Sequence, residues 1–101
     1  MNYPAQPGAR DRDTSIAAAE AIASKAPTLR AATLAAFQHF HAGLTADEAA
    51  AVLGASILSI RPRVTELTRM GELEDSGVRR PNHSGKAAVV WRTKWKSRLF
   101  A

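Results

Sequence analysis

Gly54 constrains this chain more than any other residue, because two short helical patterns meet on it. Before it, Ala49, Val52 and Leu53 lie at helical spacing, and Ala50 is small enough to let another helix cross closely. Gly54 then ends the segment, since glycine takes left-handed backbone at a helix C-terminus without steric cost. Beyond it Ile57, Ile60, Val64 and Leu67 recur at i, i+3, i+7 and i+10, a stripe that must face a core. The other face of this second helix carries Arg61, Thr65 and Arg69. Hydrogen-bond donors and positive charge therefore point away from the core.

The stretch from Thr45 to Leu73 is thus a helix-turn-helix pattern with its turn at Gly54-Ala55-Ser56. Its second helix has the outward chemistry required of a helix lying in a DNA major groove. Thr45 is placed to cap the first of the two helices, with Glu48 three residues on to complete a capping box. Pro62 is the irregular element. It costs little in a first turn but about 3 kcal/mol in a helix interior. This favours an effective start near Leu58 or Ser59, preceded by a tight turn at Ser56, which places Ser59, Arg61 and Arg63 in the part of the helix that enters a groove.

Upstream, Leu29 to His41 reads as a helix with Leu29, Ala32, Thr33, Ala36, Phe37 and Phe40 on one side, capped by Thr28 and stopped at Ala42-Gly43. Pro27 separates it from an extra N-terminal helix over 14–26, opened by Asp13-Thr14-Ser15. That helix is alanine-rich with a thin apolar face of Ile16, Glu20 and Ile22, so it must pack on its own chain or on a partner. Residues 1–13 are proline-, glycine- and charge-rich without a period, and read as a disordered lead-in.

Downstream, the alternation Leu73 to Arg79, the turn-rich Arg80-Pro81-Asn82-His83-Ser84-Gly85 and the run Lys86 to Arg92 read as a hairpin, with Trp91 packing inward in alternation with Val89. The tail, 94–101, mixes Lys94, Lys96 and Arg98 with Trp95, Leu99 and Phe100. Clamping a nucleic-acid backbone, covering the core and contacting a protein partner are three uses that fit it equally.

Helix, turn, helix and hairpin, over residues 28–93, resemble the winged helix-turn-helix family, and in particular small phage and prophage proteins of that fold. The resemblance rests on Leu44-Thr45, Glu48, Ala50, Leu53-Gly54, Ser56, Ile60, Glu66-Leu67, Gly71 and Leu73, followed by a basic hairpin tip. It implies a mainly α fold with a small β-hairpin: a three-helix core plus wing, here with the extra N-terminal helix. It also implies a duplex DNA-binding regulator that reads the major groove with the helix around 57–70 and touches backbone or minor groove with the wing around 79–86. Ser59, Arg61, Arg63, Thr65, Arg69, Arg79, Arg80, Asn82 and Lys86 are then the expected contacts. Because the same scaffold also serves protein-binding modules, a phage-encoded inhibitor or assembly factor is the alternative.

Charge supports the first of these. The net charge is +5 over 101 residues. Up to Ala55 acidic residues slightly outnumber basic ones, whereas from Ser56 onward Arg61, Arg63, Arg69, Arg79, Arg80, Lys86, Arg92, Lys94, Lys96 and Arg98 face only Glu66, Glu72, Glu74 and Asp75. The excess sits where phosphate contacts would be needed. So small a core also makes a homodimer the expected state.

Other chemistries find no footing in the sequence. There is no cysteine, so disulfide and thiol chemistry are excluded and a reducing cytoplasm is the expected compartment. The start lacks a basic segment followed by an apolar one, and no run reaches membrane-spanning length. His39 and His41 lie two apart, roughly 200° around a helix, and cannot share one ion. Without a nucleophile and base, a carboxylate pair or a phosphate loop, neither an enzyme nor a cofactor is expected.

Overall fold

The computed structural model describes residues 16–94. The lead-in, the cap at Asp13-Thr14-Ser15, and Trp95, Leu99 and Phe100 of the tail lie outside the described residues. Within them are four helices and a two-stranded antiparallel hairpin: α1 (16–23), α2 (Leu29–His39), α3 (Ala46–Leu53), α4 (Ile57–Arg69), β1 (Leu73–Pro81) and β2 (Ala87–Thr93).

The helices converge on Phe37, Ile60, Leu67 and Leu73, all 0–1 % exposed, with Ala36, Ala49, Val52 and Val64 packed between them. Burying side chains of this size contributes about 1.5–3 kcal/mol each. The alanine-rich α1 joins this core through Ala19 and Ala23, one turn apart, while Ile22 points outward at 53 % exposure. Its apolar face is therefore made of Ala19 and Ala23 with Ile16, which packs against the core as expected, and without Ile22, and it packs on its own chain. Alanine permits that close approach.

Local chemistry sets the helix ends. Thr28 Oγ1 accepts from the Ala31 amide, and α2 stops at His39, two residues short of the expected His41. Thr45 and Glu48 form the reciprocal capping box of α3, and Gly54 closes that helix at φ +62° with its amide donating to Ala50 and Ala51. At α4 the expected start near Leu58 or Ser59 is corrected. Ser56 is the cap, its Oγ accepting from Leu58 N and its carbonyl from Ser59 N and Ile60 N. Pro62 consequently lies inside the helix, in the second turn, and gives Leu58 no amide hydrogen. Leu58 is 80 % exposed, so water can take that bond, and the cap together with buried Ile60 offsets the loss.

Two details of the hairpin were not anticipated. Its register slips between Asp75 and Arg79, which face Trp91 and Val89, so Ser76-Gly77-Val78 bulge out of the ladder. Val90 is also the strand's most buried apolar residue, at 1 %, while Trp91, partly covered, packs against the helical core as expected and Val89 is only partly covered. Outside the named strands, Leu44 exchanges both main-chain hydrogen bonds with Trp91, at 2.9 and 2.8 Å. This one residue stitches the α2–α3 connection to the sheet.

Gly43 has its reason in that stitch. A Cβ there would stand 2.6 Å from Val90 Cγ1 and 3.0 Å from the Trp91 carbonyl, at φ +121°. Ending α2 is the lesser part of its role. Gly43→Ala should cost about 3 kcal/mol, combining backbone strain with overpacking. Gly54→Asn, at an αL position where a Cβ would meet only Glu20 Oε2 at 3.8 Å, an ordinary contact, should cost well under half as much. Urea unfolding of the two variants beside the parent provides the comparison.

Candidate nucleic-acid interface

The residues that could meet a ligand lie on the outer side of α4, on the tip of the hairpin, and around the N-terminus of α3 between them. With Ile60, Val64 and Leu67 buried, a helix advancing roughly 100° per residue turns Leu58, Pro62, Thr65 and Arg69 to the side opposite the core. All four are exposed. Arg61 lies on one flank of that side, Ser59 and Glu66 on the other.

The cationic residues expected at this interface divide into tied and untied groups. Arg63 makes a bidentate pair with Glu66, at 2.8 and 2.7 Å, and Arg30 of α2 approaches the same carboxylate at 3.7 Å. Arg63 is thus held along α4 itself, and Glu66 is the residue that links α4 to α2. The hydrogen bonds from Arg63 hold the Glu66 carboxyl below its ordinary 4.5, and in return raise the guanidinium's own affinity for its proton. Arg79 pairs with Asp75 through two hydrogen bonds of 3.0 and 3.1 Å, across the bulge. That guanidinium, and after it the Gly77 amide, lower the Asp75 carboxyl. Both Arg79 and its partner remain accessible.

Arg80 is used internally. Its Nη2 donates to Glu48 Oε1 at 2.7 Å and to the Gly43 carbonyl at 3.1 Å, and its Nε is buried without a partner among the described residues. The structure therefore places it as a tie between β1 and α3 rather than at the tip. Asn82 is likewise occupied. Its Oδ1 accepts from Ser84 N, Ser84 Oγ and Lys86 N, which folds the tip into a closed turn.

Arg69 and Lys86 are exposed and have no ion-pair partner among the described residues. Arg61 reaches Asp47 only at 3.5 Å and is 56 % exposed. Asp47 also accepts from the His83 amide at 3.2 Å, so one carboxylate at the start of α3 addresses both α4 and the tip. Thr65 turns its hydroxyl back to the Arg61 carbonyl at 3.2 Å. Ser59 is exposed and its side chain has no partner among the described residues.

Between α4 and the hairpin is a cleft of about 270 Å3 that includes Arg61, Thr65, Asn82 and Trp91. A wider hollow of about 520 Å3, with Asp47, Ala51, Ala55, Pro81 and His83 on its walls, lies on the other side of the tip. Among the described residues no cluster of three His, Cys, Asp or Glu could hold a metal, and no helix is long and apolar enough to cross a membrane.

Sequence reasoning missed Leu58, Asp47 and Gly43. For Leu58 the signal was present. Once Ser56 is accepted as the cap, Leu58 falls in the first turn, in register with Pro62, Thr65 and Arg69. The ties made by Asp47 and Gly43 run to residues fourteen to forty-eight positions away, and local pattern carries no trace of them. Comparison with family models, with curated proteins and with solved structures gives no match, so a functional reading rests on this geometry.

Two outcomes follow from the division of the cations. Arg80→Ala should lower unfolding stability by about 1 kcal/mol, the pair being partly exposed, while Lys86→Ala should stay within about 0.5 kcal/mol of the parent. Chemical denaturation measures both. For Glu66, the unfolded chain takes up the proton before the folded chain does. Its contribution is therefore complete above about pH 4.5 and is lost as pH falls through the lower folded value. Arg63→Ala should flatten that part of the acid limb in a series of melts between pH 6 and pH 2.5.

Proposed function

We propose that this chain is a winged helix-turn-helix protein that binds duplex DNA, as a transcriptional regulator of the phage or prophage type. In this reading α4 lies in the major groove and the hairpin tip meets the adjacent backbone. The observation that carries it is the outward side of α4, which is exposed along its length and ends in an arginine with no ion pair among the described residues. Lys86 on the wing adds a second unpaired cation, and Arg61, held loosely, can exchange Asp47 for a phosphate or a base edge at little cost. Ser59 and Thr65 flank the same surface, and Arg79 can join it by leaving an exposed carboxylate. Arg63, Arg80 and Asn82 support the interface from behind.

A protein-binding winged helix is the second reading. It is favoured by the pairing of Arg61, Arg63, Arg79, Arg80 and Arg92 with carboxylates, which neutralises much of the basic excess after Ser56. Fluorescence polarisation with labelled duplexes at two salt concentrations separates the two. If Arg61, Arg69 and Lys86 each neutralise one phosphate, log K should fall against log salt with a slope of roughly −2.7, or about sixfold weaker binding for each doubling of salt. Arg69→Ala and Lys86→Ala should each reduce the slope by about one. Affinity at low salt no better than that of an acidic control protein, over several unrelated duplexes, would sink the DNA reading in favour of the second.

A further inference from the structure

Leu58 is the most exposed of the large apolar side chains among the described residues, at 80 %, and it sits in the first turn of α4, on its outer side. The structure points to a specific partner for it. Resting on the DNA reading above, we propose that the outward stripe of α4 recognises thymine, through the 5-methyl group that thymine alone displays in the major groove.

The stripe runs Leu58, Pro62, Thr65, at i, i+4 and i+7, directly opposite buried Ile60, Val64 and Leu67. Neither the leucine nor the proline side chain can donate or accept a hydrogen bond. The Thr65 hydroxyl has spent its proton on the Arg61 carbonyl. The middle of the face therefore has no side-chain donor with which to read guanine or adenine. What it offers is methyl and methylene surface. In the major groove the feature that rewards such surface is the thymine methyl, whereas the other base edges present hydrogen-bonding atoms that would be desolvated without compensation.

The position within the helix agrees. Residues at the N-terminal end of a recognition helix approach base edges most closely, and the cap at Ser56 puts Leu58 there. The charge around the stripe also matches. Arg61 flanks it, Arg69 follows it one turn beyond Thr65, and Lys86 lies on the wing, as suits an apolar strip bordered by phosphates. For a protein partner the strip is small: one leucine, one proline and a threonine methyl are a minor part of the roughly 800 Å2 per side that stable protein interfaces bury.

The test uses the full chain and a duplex selected by it from a random pool. Thymines in the selected site are replaced one at a time, and then together, by deoxyuridine, which removes the methyl group and nothing else. One or two positions should lose about fourfold in affinity, the value of one buried methyl group, with the salt slope unchanged. Leu58→Gln, at a fully solvated position, should abolish the distinction between thymine and deoxyuridine duplexes while leaving the melting temperature in place. Leu58→Met should restore it. Equal affinity of the parent chain for thymine and deoxyuridine duplexes, with salt-dependent binding intact, overturns this assignment alone and leaves Leu58 to a protein contact. Absence of binding to any duplex at low salt overturns the DNA reading and this inference with it.

Discussion

Glu48 Oε1 accepts the Thr45 amide at 2.8 Å and the Arg80 guanidinium at 2.7 Å, and the same guanidinium nitrogen holds the Gly43 carbonyl. One oxygen atom thus caps α3, fixes the strand that leads to the hairpin tip, and anchors the connection from α2. A charged acceptor is suited to this because its hydrogen bonds are stronger than neutral ones and it can accept several at once. The neighbouring exchange of hydrogen bonds between Leu44 and Trp91 closes the same corner from the other side. The elements around the interface meet at that corner: the tip is held there through Arg80, and α4 packs on both α3 and α2 beside it.

Asp47, the neighbour of Glu48, ties α4 and the tip as Glu48 ties the strand and the helix cap. Its two oxygens go to different elements, Oδ1 to Arg61 of α4 and Oδ2 to the His83 amide of the tip. Acidic residues in the first turn also suit the helix dipole, so both carboxylates are stabilised where they stand. Much of the basic charge counted in the sequence is consequently spent on holding the fold. Among the described residues of α4 and the hairpin tip, what remains available to a ligand is narrower: Arg69, Lys86 and, by exchange, Arg61 and Arg79.

Legibility in the sequence followed the range of the interaction. The capping box at Thr45 and Glu48, the αL glycine at Gly54, the stripe Ile60, Val64 and Leu67, and the hairpin all rest on neighbours within a few positions, and all were readable. The start of α4 was misplaced because the cost of Pro62 was weighed without the burial of Ile60, which tertiary packing supplies. Leu58 was obscured by that error, since a start at Ser59 removes it from the first turn. Arg80 looked like a tip residue by position; only the fold brings Glu48, thirty-two residues earlier, within 2.7 Å of it. In the hairpin, alternation alone could not tell which of Val89, Val90 and Trp91 would be covered, because both faces of β2 are packed to some degree.

The bulge at Ser76-Gly77-Val78 divides the hairpin mechanically. Below it Leu73, Glu74 and Asp75 pair with Thr93, Arg92 and Trp91, and Lys94 donates to the Glu72 carbonyl just after α4. Above it Arg79, Arg80 and Pro81 pair with Val89, Ala88 and Ala87, and are fastened to α3 through Glu48 and Asp47. The hairpin is therefore two short levers on a common hinge, the lower one carried by α4 and the upper one by α3. A load placed on the tip is transmitted first into α3, through Glu48 and Asp47, and from there into α4 through the Asp47–Arg61 contact and the packing of the two helices.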